Sequence, residues 1–385
     1  MKQQMLHTRS ATYRSEDREM DIMNDEFYMS LALDMAERAQ GQTGINPVVG
    51  CVVVKDGAMI GLGTHLQRGT GHAEVHALNM AAGKAAGSTA YVTLEPCSHY
   101  GITPPCSQRL IDEGVARVVV ACEDPNPQVA GRGVQMLRDH GIEVEVGLLR
   151  ERALRLNEKF IKYILTKQPF VTLKSASTLD GNLATKTGDS KWISGEAARE
   201  IVHTLRHRHQ GIMVGVNTVI ADNPSLTTRM AVPGFNPVRI IIDSALRIPL
   251  DAAVVSDGLA PTIIVTTGSA DAAKKAVLQA AGVQIVVCGT GPRVDLSAAM
   301  VALGEMEIGS ILLEGGGTLN GAMLESGLVD RVVLFFAPKI VGGGAEAKGT
   351  FVFPGVEKMA EAITLEGLEV EVLGDNVCIS GTPVR

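Results

Sequence analysis

Short apolar runs alternate along this chain with segments of helical spacing, and that alternation predicts an α/β protein with parallel or mixed sheet. Phe27, Leu31, Met35 and Ala36 or Ala39 line one side of a helix predicted over 25–40. The β-branched run 48–54 predicts a strand, and Lys55-Asp56-Gly57 the turn of a hairpin. A helix over 73–83, a strand over 91–94, a helix over 107–113, a strand over 117–122, a helix over 131–140 and a strand over 142–146 complete a first series. The charged stretch 148–165 then predicts one long helix, closed by Lys167-Gln168-Pro169.

A second series follows, with strands near 170–174, 211–214, 238–243, 262–266, 284–288, 310–314 and 331–337. Helices over 195–209 and 270–281 lie between them, and no internal repeat relates the two series. The expected division is a disordered extension over 1–22, a first domain over 23–147, a linker helix over 148–168 and a second domain over 169–385.

At 385 residues the chain exceeds one ordinary core, which agrees with two domains. No stretch approaches the roughly 20 apolar residues of a membrane span. Lys2, Arg9, Arg14 and Arg18 mix with Glu16, Asp17, Glu19 and Asp21 with no apolar region after them, so no secretory signal is read there. A net charge of −7 without a long basic run argues against a grip on nucleic acid. Six cysteines in so long a chain do not resemble a disulfide scaffold. Two of them share a Pro-rich loop with a histidine, which points to metal in a reducing compartment, the cytoplasm.

The chemistry concentrates in His72-Ala73-Glu74 and the loop Pro96-Cys97-Ser98-His99-Tyr100-Gly101-Ile102-Thr103-Pro104-Pro105-Cys106. One imidazole and two thiolates, His72, Cys97 and Cys106, suit a catalytic zinc that keeps a fourth position for water. Such a metal lowers the pKa of water, and Glu74, which is not a ligand, can shuttle its proton to a departing amine. Singly, His72 reads as a loop histidine and the cysteines as apolar fillers. Jointly, His-x-Glu at a helix start and Pro-Cys after a strand reverse that reading.

On these residues the sequence resembles the bacterial bifunctional riboflavin-biosynthesis enzymes, a diaminohydroxyphosphoribosylaminopyrimidine deaminase fused to an aminouracil phosphoribosyl reductase. Cys97 and Cys106 have eight residues between them, and this loop is the riboflavin branch's own; other deaminases of the fold use Cys-x2-Cys. The resemblance runs from about Asp25 to near the C-terminus. It implies a cytidine-deaminase-like three-layer domain followed by a dihydrofolate-reductase-like domain. It also implies that Asn46, His65 and His99 contact the pyrimidine or the ribose phosphate, with Ile102 standing where many relatives carry a basic residue.

In the second half, three clusters carry the resemblance: 172–181 with 188–193, 214–229, and 312–321. The last reads as strand, glycines and helix start, where free amides can meet a phosphate, although a Gly-rich turn alone is more often only a turn. The resemblance implies NADPH at Ala176, Trp192, Thr218, Asp222, Ser244, Gly316, Gly317, Thr318, Leu319, Asn320, Gly321 and Ala322. It implies the phosphoribosyl pyrimidine substrate at Ser190, Arg206, Leu226, Arg229 and Glu314, with arginines facing its phosphate. Lys174 and Asp222 are the candidates for polarising or protonating the opening sugar, and a homo-oligomer, dimer or tetramer, is implied.

Two rival readings are a nucleic-acid base deaminase with an accessory domain and a non-catalytic zinc-stabilised scaffold. The acidic balance and the cysteine spacing oppose the first. Glu74 opposes the second, because a scaffold has no use for a proton shuttle. Glu74→Ala is expected to cut ammonia release by at least ~100-fold while leaving reduction of pre-deaminated substrate unchanged. Separate assays of the two steps check this, and a parallel fall in reduction by a folded variant would refute the domain division.

Overall fold

The β-branched runs become strands in the computed structural model, which describes residues 22–100, 104–127 and 129–384. The extension expected over 1–22 lies outside the described residues except for Ile22, as does Ile102. Asn24 caps the first helix, α1 (Asp25–Glu37), by accepting from the Phe27 N–H at 2.9 Å. Its Met29, Ala32, Leu33 and Ala36 are fully buried.

The hairpin β1 (Gly50–Lys55) and β2 (Ala58–Thr64) forms at the expected turn. With β3 (Thr89–Val92), β4 (Arg117–Val120) and β5 (Glu143–Val146) it makes a sheet of order β2-β1-β3-β4-β5. β1 pairs antiparallel with β2 and β3, and β3, β4 and β5 run parallel. The helices α2 (Ala73–Ala81), α3 (Cys106–Asp112) and α4 (Arg132–Asp139) connect these strands. α2 lies directly on β2, where a Cβ on Gly63 would stand 2.0 Å from the Ala73 carbonyl oxygen and 2.6 Å from the Ala77 nitrogen. Only glycine lets the helix that carries Glu74 come so near.

The single helix expected over 148–165 is two, α5 (Arg150–Leu156) and α6 (Glu158–Thr166). The break is at Asn157, whose side chain leaves the helical pattern to pair with the backbone of Val48, two residues before β1. Its Oδ1 accepts from the Val48 N–H at 2.9 Å and its Nδ2 donates to the Val48 carbonyl at 3.0 Å. A buried amide that satisfies both groups of one residue outweighs helix continuity here.

The second sheet is built from β6 (Phe170–Thr178), α7 (Glu196–His207), β7 (Gly211–Gly215), α8 (Val216–Asp222), β8 (Val238–Ile242), α9 (Ala253–Ser256) and β9 (Thr262–Thr266). It continues through α10 (Ala272–Ala280), β10 (Gln284–Val287), α11 (Leu296–Glu305), β11 (Ser310–Leu313), α12 (Gly317–Glu325) and β12 (Arg331–Ala337). The hairpin β13 (Thr364–Leu373) and β14 (Asn376–Val384) ends the chain. The order is β10-β9-β8-β7-β11-β6-β12-β14-β13, parallel as far as β12 and antiparallel beyond it.

The last hairpin was absent from the sequence expectations, although Leu368, Val370 and Val372 alternate with Glu369 and Glu371 at strand period. Between the two sheets, Tyr163 donates to the Gly304 carbonyl at 3.1 Å and Arg331 pairs with Glu158 at 2.7 Å. Among the described residues no helix is long and apolar enough to cross a membrane.

Gly63→Ala should destabilise the protein by about 1–3 kcal/mol through overpacking against α2, and should lower its zinc content because His72 opens that helix. Denaturant unfolding and elemental analysis check this; an unmoved midpoint would mean that α2 can retreat freely.

Candidate active sites

His72 is the residue just before α2, with an extended backbone and no capping bond from its side chain, so the ring is free to turn towards the 97–106 loop. Its Nδ1 stands 3.5 Å from the Cys97 Sγ and 3.3 Å from the Cys106 Sγ. Ligands about 2.3 and 2.0 Å from one tetrahedral zinc are roughly 3.5 Å apart, so both sulfurs already stand at the distance from the imidazole that zinc requires. They form the metal-holding cluster found among the described residues. Cys106 opens α3, and its backbone N–H points at the Cys97 sulfur from 3.3 Å. The Cys106 thiol and the His72 ring hold Cys97 well below the ordinary thiol range, and proximity to Cys97 together with burial pushes Cys106 up.

Glu74 lies in the first turn of α2 and is 3% exposed. Burial, and then the Cys97 charge, push its carboxyl up to about 7, a value suited to taking and giving a proton near neutral pH. A cavity of about 180 Å³ opens in front of it, lined by Asn46, His65, His72, Glu74, Cys97 and His99 among others. All the first-half candidates that the structure describes therefore meet in one place. His65 is turned by two contacts: its Nδ1 is 3.2 Å from the Gly71 carbonyl, and its Nε2 is 3.4 Å from the Asn46 Nδ2. Nδ1 must then carry the proton and Nε2 accept, and burial lowers the ring's pKa, which favours this neutral form.

Sequence reasoning missed Glu95, the residue before Pro96-Cys97. Its buried carboxylate accepts backbone N–H bonds from Asp124 at 3.0 Å, Gly131 at 2.9 Å, Gly133 at 2.8 Å and Val134 at 3.2 Å. It thereby ties the start of α4 and the 124–131 loop to the ligand loop. Asp124, on that loop, also lines the cavity. No spacing in the sequence announces a carboxylate that serves four amides distant in the chain.

In the second half, Glu314 follows β11 and takes the Arg206 fork, Nε to Oε1 at 2.7 Å and Nη2 to Oε2 at 3.0 Å. Lys174, on β6, stands 3.9 Å from the same carboxylate. Burial alone would raise Glu314, but Arg206 and Lys174 outweigh it and hold the carboxyl at about 2. Lys174 is lowered by burial, with Glu314 opposing.

Three expectations change here. The Arg206 fork is spent on Glu314 and, through Nη1, on the Thr227 carbonyl at 2.9 Å, so it does not stand open for a phosphate. Leu226 has φ +49° and packs its side chain into the core beside Ile212 and Val214, so only its backbone can face a substrate. Asp222, the last residue of α8, is exposed, and it is Glu314 that pairs with Lys174. Arg229 is exposed, and its N–H donates to the His203 Nδ1 at 3.2 Å. Ser190 lies half-buried in the loop before Trp192.

The expected cofactor residues gather at the carboxyl ends of the parallel strands, where open α/β sheets take ligands. Ala176 lies on β6 opposite Phe335, and Ser244 follows β8, its Oγ accepting from the Val294 N–H at 3.0 Å. Trp192 is 67% exposed, with the Arg199 guanidinium 4.9 Å from its ring centre. Gly316 precedes α12, and a Cβ there would meet nothing nearer than the Thr218 Oγ1 at 4.0 Å. The fold itself does not demand glycine at this position; the open face beside Thr218 is a cradle that a side chain would fill, and it fits a cofactor phosphate.

Gly317 and Gly321 differ. A Cβ would lie 2.2 Å from the Gly349 carbonyl oxygen at the first and 2.3 Å from that of Val352 at the second, so packing explains both glycines. Asn320 is fully buried and donates to the Thr350 carbonyl at 3.4 Å, and Leu319 packs on the core. Thr318 stays exposed and Ala322 half-buried.

Comparison with known proteins places both halves. The family described as "Cytidine and deoxycytidylate deaminase zinc-binding region" matches residues 22–122, and that described as "RibD C-terminal domain" matches 169–379. The chain is 45% identical over 359 residues to a riboflavin biosynthesis protein RibD of Bacillus amyloliquefaciens, covering 93% of this chain and 96% of that one. It is 42% identical over 370 residues to the one of Escherichia coli (strain K12), covering 93% and 99%. The solved structure of Acinetobacter baumannii RibD, form 1, superposes with a TM-score of 0.84 at 38% identity, covering 94% and 99%. A deaminase/reductase structure from Thermotoga maritima superposes at 0.80 with 36% identity and the same coverage, 94% and 99%.

Glu95→Gln presents an NH₂ group where two amides need an acceptor. It should cost roughly 2 kcal/mol of stability, read by denaturant unfolding. An unchanged midpoint would reduce Glu95 to a dispensable contact.

Proposed function

The chain belongs to the RibD family of bifunctional riboflavin-biosynthesis enzymes, and on that premise we propose how its two sites divide the chemistry. It hydrolytically deaminates 2,5-diamino-6-(5-phosphoribosylamino)pyrimidin-4(3H)-one with zinc, then reduces the ribosyl group to ribityl with NADPH. The product is 5-amino-6-(5-phosphoribitylamino)uracil. The observation that carries this reading is the His72–Cys97–Cys106 triangle with buried Glu74 beside it in one cavity.

His72, Cys97 and Cys106 hold the metal. Zinc supplies Lewis acidity, which makes water a nucleophile near neutral pH. Glu74 takes the proton as water attacks the ring carbon and gives it to the amino nitrogen, which leaves as ammonia. Asn46 donates its Nδ2 to His65, which leaves its oxygen to accept from the pyrimidine. His99 completes the wall of the cavity.

NADPH supplies the two electrons of the second step. The open first turn of α12, with Gly316 and Thr318, and Thr218 of α8 beside it would hold its phosphates, and Ala176, Ser244 and Trp192 would flank it. Lys174 protonates the opening sugar, and Glu314 keeps the lysine oriented while Arg206 balances that charge. Arg229 and Ser190 take the substrate phosphate, because Arg206 is already committed. We assign the deaminase to 23–147, the linker to 148–168 and the reductase to 169–385, on the two separate sheets. The exposed Leu368, Val370 and Val372 of the edge strand β13 support a homo-oligomer. The six unpaired cysteines support the cytoplasm.

The test is incubation of the zinc-loaded protein with the diaminopyrimidine substrate, with and without NADPH. Ammonia should appear in both cases and NADPH should be consumed only after deamination; no ammonia from the folded protein would sink the reading. A lysine lowered from its ordinary 10.5 loses its proton earlier as pH rises. Reduction should therefore fall on an alkaline limb that begins below that value. Lys174→Arg, which keeps its proton, should abolish that limb and lower kcat by about 100-fold. An alkaline limb unchanged in this variant would remove Lys174 from the proton transfer.

A further inference from the structure

The Thr178–Asn182 turn after β6 ties down a strap of chain, 339–352, that takes no part in the steps above. The Asp180 carboxylate accepts from the Gly342 N–H at 2.7 Å and the Val341 N–H at 3.3 Å. It also accepts from the Thr178 Oγ1 at 2.6 Å and the Asn182 Nδ2 at 3.2 Å. Around it, the Leu179 N–H donates to the Lys339 carbonyl and the Leu183 N–H to the Lys348 carbonyl, both at 2.7 Å. Thr350 closes the set, its Oγ1 donating to the Gly181 carbonyl at 2.9 Å.

Within itself the strap makes one short 3-10 turn, with the Glu346 N–H donating to the Gly343 carbonyl at 3.0 Å and the Ala347 N–H to the Gly344 carbonyl at 3.2 Å. Gly342, Gly343 and Gly344 follow one another with φ of +65°, +126° and +53°. Such a stretch has no side chains to pack and the most backbone freedom to lose. The turn ties it to β6, and among the described residues Asp180 is the charged acceptor of that tie. Thr178 and the strap's N–H groups hold this carboxyl at about 2, below the ordinary carboxylate range.

One end of the strap touches Trp192, and the other touches Gly317, which opens the helix whose first turn is assigned above to the phosphates. The Lys339 Nζ donates to the Trp192 carbonyl at 2.6 Å. At the other end, the Val352 N–H donates to the Gly317 carbonyl at 3.0 Å, and the Gly349 carbonyl packs where a Gly317 Cβ would be. The strap thus spans from the Trp192 loop to the first turn of α12.

We propose that Asp180 is a positioning residue for the reductase: by pinning the strap 339–352 between the Trp192 loop and α12, it sets the walls of the cleft that takes the dinucleotide. This rests on the reading of that cleft as the NADPH site. Asp180 itself touches neither substrate nor cofactor, since its oxygens are occupied by the strap and the turn.

The test uses the full-length, zinc-loaded enzyme with Asp180→Ala and the milder Asp180→Asn, which keeps one acceptor oxygen. NADPH is titrated by quenching of Trp192, the only tryptophan, and trypsin cleavage at Lys348 reports release of the strap. Asp180→Ala should be cut faster and should raise the Kd and KM for NADPH about tenfold or more, with Asp180→Asn between it and the parent. Deamination should be unaltered. A merely structural role would lower the melting temperature and leave the Kd untouched. Faster cleavage with unchanged NADPH affinity, or unchanged cleavage, overturns the proposal. Should Asp180→Ala not fold, Asp180→Asn and Thr350→Val carry the same comparison. Absence of quenching in the parent enzyme would instead overturn the cofactor reading, and this inference with it.

Discussion

Three donor atoms from three separate segments must stand within a few tenths of an ångström of a tetrahedral spacing, and much of the first half of the chain is organised to meet that condition. His72 sits before α2, and α2 can take its place on β2 only because Gly63 has no Cβ. Cys97 follows a carboxylate that gathers four amides, and Cys106 opens a helix whose first N–H reaches back to the Cys97 sulfur. The burial that keeps this arrangement rigid is the same burial that lifts Glu74 towards neutrality. Ligand geometry and proton chemistry therefore share one cause, the exclusion of water around the start of α2.

The second half solves a different problem, that of keeping charges buried without a metal. Glu314 is stabilised by two cations, Arg206 and Lys174, and Arg206 is further spent on the Thr227 carbonyl. Breaking such a set leaves an uncompensated charge, so the cluster resists rearrangement. That rigidity holds Lys174 in one orientation beside Glu314. Of the two arginines read in the sequence as facing a phosphate, Arg206 is thus a counter-charge to Glu314, while Arg229 is exposed.

The seam between the halves is polar. Arg331 with Glu158, Lys162 with Asp330 and Tyr163 with the Gly304 carbonyl hold α6 to the second sheet, while Asn157 holds its start to Val48. α6 and the Asn157 before it are therefore tied to both halves by specific polar contacts.

The alternation of strands and helices, the hairpin at Asp56-Gly57, the His-x-Glu pair and the Pro-Cys loop with its long cysteine spacing were all legible in the sequence. Periodicity and turn chemistry are local properties, and metal ligands must be of particular residue types whatever the fold. The zinc triangle follows from those types, and the family resemblance from the loop that carries them. The break at Asn157, the four amides on Glu95 and the commitment of Arg206 to Glu314 were not legible. Each depends on a partner more than 25 residues away, and at Asn157 and Arg206 more than 100. Nor could composition tell Gly316, which faces open space, from Gly317, which faces the Gly349 carbonyl. The sequence by itself determined the residue types of the metal cluster, the glutamate beside it and the half in which each candidate lies. Which charges are already spent, and which glycines are left open to a ligand, was decided by tertiary structure alone, because burial and partner distance exist only once distant segments have met.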